Sequence, residues 1–147
     1  PVDIRKYEFV PMPVKEEWGV LVREDSPLTR KEYIEPADLM GISLVTGSRD
    51  FHGELIRWFG ELYDKLEIAA VGNLLYNEAM LVGNGMDAVL CIRLNCRYEN
   101  LRFIPLHPPV ESRTALIWKK DAVFSRATAA FIDTIAQYLK AISGDKI

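Results

Sequence analysis

The 147-residue sequence predicts an α/β fold with a mixed sheet flanked by helices. The first observation is residues 73–92, where an amphipathic helix ends at a Gly-x-Gly turn and leads directly into an apolar strand. Residues 86–92 are apolar almost throughout, as in a strand covered on both faces. The second observation is the alternation of helix-like and strand-like segments along the rest of the chain. In open α/β sheets, ligands bind in the crevice at the strand ends.

The helix of this segment has a start signal and a stop signal. Apolar side chains recur at helical spacing up to Val82. Asn73 can cap the start, and Gly83 can take the left-handed conformation that ends the helix. Gly85 then allows a tight reversal into the strand.

The other elements are predicted from local patterns. Residues 7–14 form an extended segment, and Pro11 and Pro13 place it at an edge or a crossing of the sheet. Pro36 favours a short helical turn that ends at Leu39. Further strands are predicted at 18–23, 42–46, 67–71, 101–106 and 113–119, and helices at 49–63 and 125–142.

Composition excludes several classes of function. The net charge of -3 and the interspersed charges argue against a nucleic-acid surface on this chain. We expect no membrane span, because no apolar run is long enough. Cys91 is expected to be a buried free thiol in a reducing compartment, with a bridge to Cys96 as the alternative. His52 and His107 have no partners at ligand spacing, so we expect no metal and no cofactor.

The first candidate site is Thr46-Gly47-Ser48-Arg49, between a predicted strand and its helix. A helix start offers unpaired backbone N–H groups and a partial positive charge that suit an anion. Gly47 lets a ligand approach the backbone, the hydroxyls of Thr46 and Ser48 can donate, and Arg49 could bind an anion bidentately. The alternative is that Ser48 only caps the helix and that Arg49 is solvated.

Two other segments are weaker candidates. Asn84 and Gly85 lie in the Gly-x-Gly turn, which a helix cap and a tight turn explain without a ligand. Met12 and Pro13 could present backbone groups to a ligand, or could be structural. We predict no enzymatic activity, because Glu16-Glu17 and Asp87 have no nucleophile or base beside them and no catalytic motif is present.

Four stretches carry a family resemblance. They are residues 81–88 around the glycines, the strand and turn at 18–28, the Ile34 to Leu39 element, and the start of the last helix at 124–132. In this order, they resemble the effector-binding domain of LysR-type transcriptional regulators. Ser26 occupies a position that is histidine in the family pattern. Leu90-Cys91-Ile92 stands where the family has a proline.

The resemblance implies a periplasmic-binding-protein-like fold of type 2. Residues 1–17 would be the first crossover, 18–110 the second lobe, and 111–147 the second crossover with the C-terminal helix that returns to the first lobe. Most of the first lobe and the DNA-binding domain would be absent from this chain. The family also implies that Thr46, Gly47, Ser48, Asn84 and Gly85 line the effector cleft.

The function that we expect is therefore regulatory. A small, anionic metabolite would bind the domain and control transcription in a cytoplasmic homodimer or tetramer, with DNA bound only by the absent domain. We also expect the apolar stripe of the 125–142 helix to promote self-association. The alternative is a fragment of an extracytoplasmic solute-binding protein of a transporter. A bilobal enzyme would need a catalytic group that the sequence does not offer.

Overall fold

The computed structural model describes residue 3, residues 5–47 and residues 53–144. Its chain divides into two compact units, residues 16–112 and residues 1–15 with 113–147. Single 3-10 turns lie at Pro27–Arg30 and Pro36–Leu39, and a longer one at Gly60–Lys65. The strands and helices are β1 (Tyr7–Arg23), β2 (Ser43–Thr46), α1 (Glu54–Phe59), β3 (Glu67–Val71), α2 (Leu75–Gly83), β4 (Ala88–Ile92), β5 (Leu101–Pro105), β6 (Glu111–Lys119) and α3 (Arg126–Gly144).

The unit of residues 16–112 is built on a mixed sheet with the strand order β3-β2-β4-β1-β5. Strand β2 runs parallel to β3 and β4, whereas β1 runs antiparallel to β4 and β5. Both faces of the central strands are buried, which explains their continuous apolar runs. One face carries Leu44 and Leu90 and packs against α1 through Phe59. The other face carries Val45 and Val89 and packs against α2 through Ala79 and Val82.

The unit of residues 1–15 and 113–147 contains the first part of β1, strand β6 and helix α3. Strand β6 pairs with β1. Helix α3 follows Ser125, whose Oγ accepts a hydrogen bond of 3.2 Å from the N–H of Thr128. Leu139 is buried, but Phe131 and Tyr138 are 59% and 60% exposed. Most of the α3 residues whose burial the structure describes are exposed.

The α/β class with a mixed sheet is confirmed, and most predicted elements are present. The two strands predicted at 7–14 and 18–23 are instead one 17-residue strand, β1. The capping prediction for α2 is wrong, because Leu74 is the N-cap residue and no side chain caps it. Gly83 is the last helical residue, and Gly85 is the glycine with a positive φ of 118°.

The helix predicted from Arg49 to Tyr63 is also corrected. Residues 48–52 lie outside the described part of the chain, and α1 begins at Glu54 after Gly53, which has a φ of 59°. At Gly60, φ is 54°, which ends the α-helix and starts a 3-10 turn. The apolar pattern that predicted one long helix is thus divided by two glycines in conformations that L residues rarely adopt.

Candidate functional site

Thr46 and Gly47 lie at the carboxyl end of β2. This strand is flanked by β3 and β4, which are parallel to it, so three strand ends meet at one edge of the sheet. Thr46 is 2% exposed, and its carbonyl accepts a hydrogen bond of 3.0 Å from the N–H of Gly72, just after β3. Gly47 is exposed, and a Cβ there would meet no atom within 4 Å. A ligand can therefore approach the backbone of Gly47 at this edge.

The helix that was predicted to begin at Arg49, beside this site, begins later in the structure. Ser48 and Arg49 lie outside the described residues, so their predicted roles stay predictions. Because α1 begins at Glu54, its N–H groups do not follow directly on Ser48.

Glu78 is a site residue that sequence reasoning missed. It lies on α2 and is 4% exposed, and its carboxyl occupies the space that a Cβ on Gly72 would need. The N–H of the same Gly72 donates to the carbonyl of Thr46. Burial raises the pKa of this carboxyl. One signal was available, because Glu78 falls on the apolar helix face of Leu75, Ala79 and Val82.

Asn84 and Gly85 lie at the opposite edge of the sheet. They precede β4, whose first residue Ala88 pairs with Leu44, whereas Leu90 pairs with Thr46. The side-chain amide of Asn84 donates to the carbonyl of Met80 at 2.7 Å and thereby helps to end α2. The structure thus does not bring Asn84 and Gly85 together with Thr46 and Gly47, and their predicted role as ligand contacts stays a prediction.

Met12 and Pro13 lie on the first part of β1, in the unit formed by residues 1–15 and 113–147. Met12 is half-buried, and Pro13 is exposed. Their contact with a ligand stays a prediction.

The carboxylates considered for catalysis have structural partners. Asp87 Oδ2 accepts a hydrogen bond of 2.9 Å from the N–H of Ser43 and so joins the starts of β4 and β2. Glu17 lies on β1, and its Oε2 is 2.6 Å from Nε of Arg93. Among the described residues, no group of three His, Cys, Asp or Glu side chains could hold a metal ion. None of the helices described here is long and apolar enough to cross a membrane.

The parallel strand ends, the mixed sheet and the flanking helices are those of the periplasmic-binding-protein-like fold of type 2. Within this class, the chain belongs to the LysR substrate binding domain family, whose model matches residues 1–140. Comparison with curated protein sequences gave no significant match.

Solved structures share this fold. The effector binding domain of QuiR in complex with shikimate superposes with a TM-score of 0.74 at 20% identity, over 96% of this chain and 69% of that domain. HinK, a LysR family regulator from Pseudomonas aeruginosa, gives 0.70 at 22% identity, over 94% of this chain and 49% of HinK. CbnR complexed with its target DNA gives 0.63 at 19% identity, over 83% of this chain and 44% of CbnR. The chain spans about half the length of such regulators.

Proposed function

We propose that this chain is part of the ligand-sensing domain of a LysR-type transcriptional regulator, and that it binds a small anionic metabolite. The observation that carries the proposal is the position of Thr46 and Gly47, where the ends of three parallel strands meet and an exposed glycine leaves the backbone open. Membership of the LysR substrate binding domain family supports the same role. It also favours a regulator over a transport receptor.

The ligand chemistry follows from the groups near this edge. The backbone N–H of Gly47 and the hydroxyls of Thr46 and Ser48 are donors that suit a carboxylate, and Arg49 would add a charge-assisted pair. These donors also suit a carboxylate that carries hydroxyl groups, whose oxygens can accept further hydrogen bonds. Shikimate, which is bound to the effector domain of QuiR, has this chemistry.

Family membership also supports a proposal about DNA binding and oligomeric state in the parent protein. CbnR has been solved with its target DNA, and we propose that DNA contact in the parent protein is made by a domain outside this chain, in the cytoplasm. We further propose a homodimer or tetramer. The exposed Phe131 and Tyr138 on α3 support self-association, since large exposed apolar side chains are common at interfaces. Light scattering that shows only a monomer at high concentration would contradict this part.

Titration calorimetry with shikimate tests the ligand proposal. Binding is expected with the unchanged chain and is expected to weaken about tenfold in Thr46→Val, which removes one hydroxyl donor and keeps the shape. Thr114→Val is the matched control, because Thr114 is exposed on β6. If no hydroxylated carboxylate binds, or if both variants bind equally well, the site at Thr46 is wrong.

A further inference from the structure

A groove lies beside α2, away from the Thr46–Gly47 edge. It has a volume of about 610 Å³ and runs between α2 and the segment of residues 96–101 that leads into β5. It lies within the unit of residues 16–112. Its size falls in the range of about 300–1,000 Å³ that is typical of small-molecule pockets. Asn84 lines it, so the Gly-x-Gly turn contributes to this cavity rather than to the edge at Thr46.

The apolar part of the lining comes from both walls. Met80 and Tyr76 extend from α2 and are 49% and 59% exposed, so their apolar surfaces are open to a ligand. Tyr98 lies on the opposite wall and is half-buried. Burial and a hydrogen bond with the Cys96 thiol raise the pKa of Tyr98 to about 12, so its phenol is neutral. Thioether and aromatic surfaces of this kind favour a flat ring.

The charged part of the lining is positive. Arg23 and Arg97 line the cavity, against one carboxylate, Glu99. The guanidinium of Arg23 is paired with Asp25 at 3.0 Å. Among the described residues, no carboxylate lies within ion-pair distance of Arg97. Arg97 is therefore the group that can pair bidentately with a ligand carboxylate.

We propose that this groove is a second ligand site, which binds a small aromatic carboxylate with its ring between Met80 and Tyr98 and its carboxylate on Arg97. The site is separate from the effector site proposed above. Cationic and uncharged analogues of such a ligand cannot form an ion pair with Arg97, so the groove binds them more weakly than the carboxylate.

Cys96 provides a direct probe, because it lines the groove and is exposed. Its labelling by N-ethylmaleimide is measured on the intact chain, with glutathione in the same tube as a reference thiol. Cys91 does not interfere, since it is buried and burial raises the pKa of its thiol to about 12. Saturating benzoate is expected to slow the labelling of Cys96 at least fivefold, whereas benzylamine and acetate leave it unchanged. No protection by benzoate, or equal protection by benzylamine, overturns the proposal.

Two variants of α2 test the location of the ligand. Gly83 lines the groove in a helical conformation, and a Cβ there would meet no atom within 4 Å, so Gly83→Leu adds a side chain to the groove at a position with room for its Cβ. This variant is expected to abolish protection by benzoate. Asn77→Leu is the control, because Asn77 is exposed on the same helix and outside the lining. Protection that survives Gly83→Leu contradicts the proposed site. Shikimate binding that is lost in Gly83→Leu but kept in Thr46→Val would instead place shikimate in this groove.

Discussion

The ring of Phe103 lies directly over Gly19 on the neighbouring strand, so that a Cβ at Gly19 would overlap the ring. The guanidinium of Arg93 stacks on the same ring, 4.6 Å from its centroid. Arg93 is also paired with Glu17 at 2.6 Å, two residues before Gly19 on β1. A glycine in the middle of a strand is normally unfavourable. Gly19 leaves room for the ring of Phe103, and the guanidinium of Arg93, just after β4, stacks on that ring.

Gly19→Ala is expected to lower the free energy of unfolding by about 1–3 kcal/mol, because the new methyl group displaces Phe103 and crowds the carbonyl of Ile104. Urea denaturation measures the change. Gly83→Ala is the matched control. Its Cβ is unobstructed and its backbone is helical, so that variant is expected to be neutral or up to about 1 kcal/mol more stable. Equal losses in both variants would contradict the role of the Phe103 ring.

Arg93→Ala removes the contact with Phe103 and the ion pair with Glu17 together. Both partners of the pair are about half exposed, so solvent screening limits its value. The expected loss is about 0.5–1 kcal/mol, most of it from the stacking on the ring. Repeating the urea denaturation in 1 M salt should leave most of this loss in place, because salt screens the ion pair more than the stacking. A loss that vanishes in salt would assign the effect to Glu17.

Local patterns predicted the existence and type of most elements, but they misplaced the start of α1 and the cap of α2. The strand at 67–71 and the turn at Pro36–Leu39 depend on neighbouring residues, and both match the predicted bounds. The sequence predicts residues 7–14, with Pro11 and Pro13, as a segment at an edge or a crossing of the sheet, whereas the structure continues them into the strand at 18–23. Two prolines spaced by two remove N–H groups from the same edge of a strand, so the other edge can still pair.

Only part of the placement of the candidate site residues could be predicted from local sequence. Thr46 and Gly47 follow a strand, and a strand end is recognisable in sequence. Asn84 and Gly85 also adjoin a strand, but they precede it, and parallel strands place their starts and ends at opposite edges. The position of Glu78 on the apolar face of α2 signals its burial, but its approach to Gly72 follows only from the packing of α2.

The two cysteines are expected to differ sharply in reactivity. Cys96 is exposed, whereas Cys91 is buried on β4 and its pKa is raised to about 12 by burial, so little thiolate forms at neutral pH. Titration with a chromogenic disulfide reagent should detect one fast thiol in the folded chain and a second only after denaturant is added. Two fast thiols without denaturant would show that the end of β4 opens readily. No reactive thiol in the folded chain would indicate a Cys91–Cys96 bridge.

Glu78→Gln is expected to change how stability depends on pH. The folded chain holds the proton of the Glu78 carboxyl more tightly than the unfolded chain, in which the pKa is near 4.5. Stability therefore falls as the pH rises from about 4.5 through the raised pKa of the folded state, because the unfolded chain releases this proton first. Glutamine keeps the shape beside Gly72 and cannot ionise, so the variant should lose less stability over this pH range. The measurement is the melting temperature from pH 4 to pH 8, with Glu67→Gln, exposed on β3, as the control. If Glu78→Gln follows the unchanged chain over the whole range, burial does not raise the pKa of the Glu78 carboxyl.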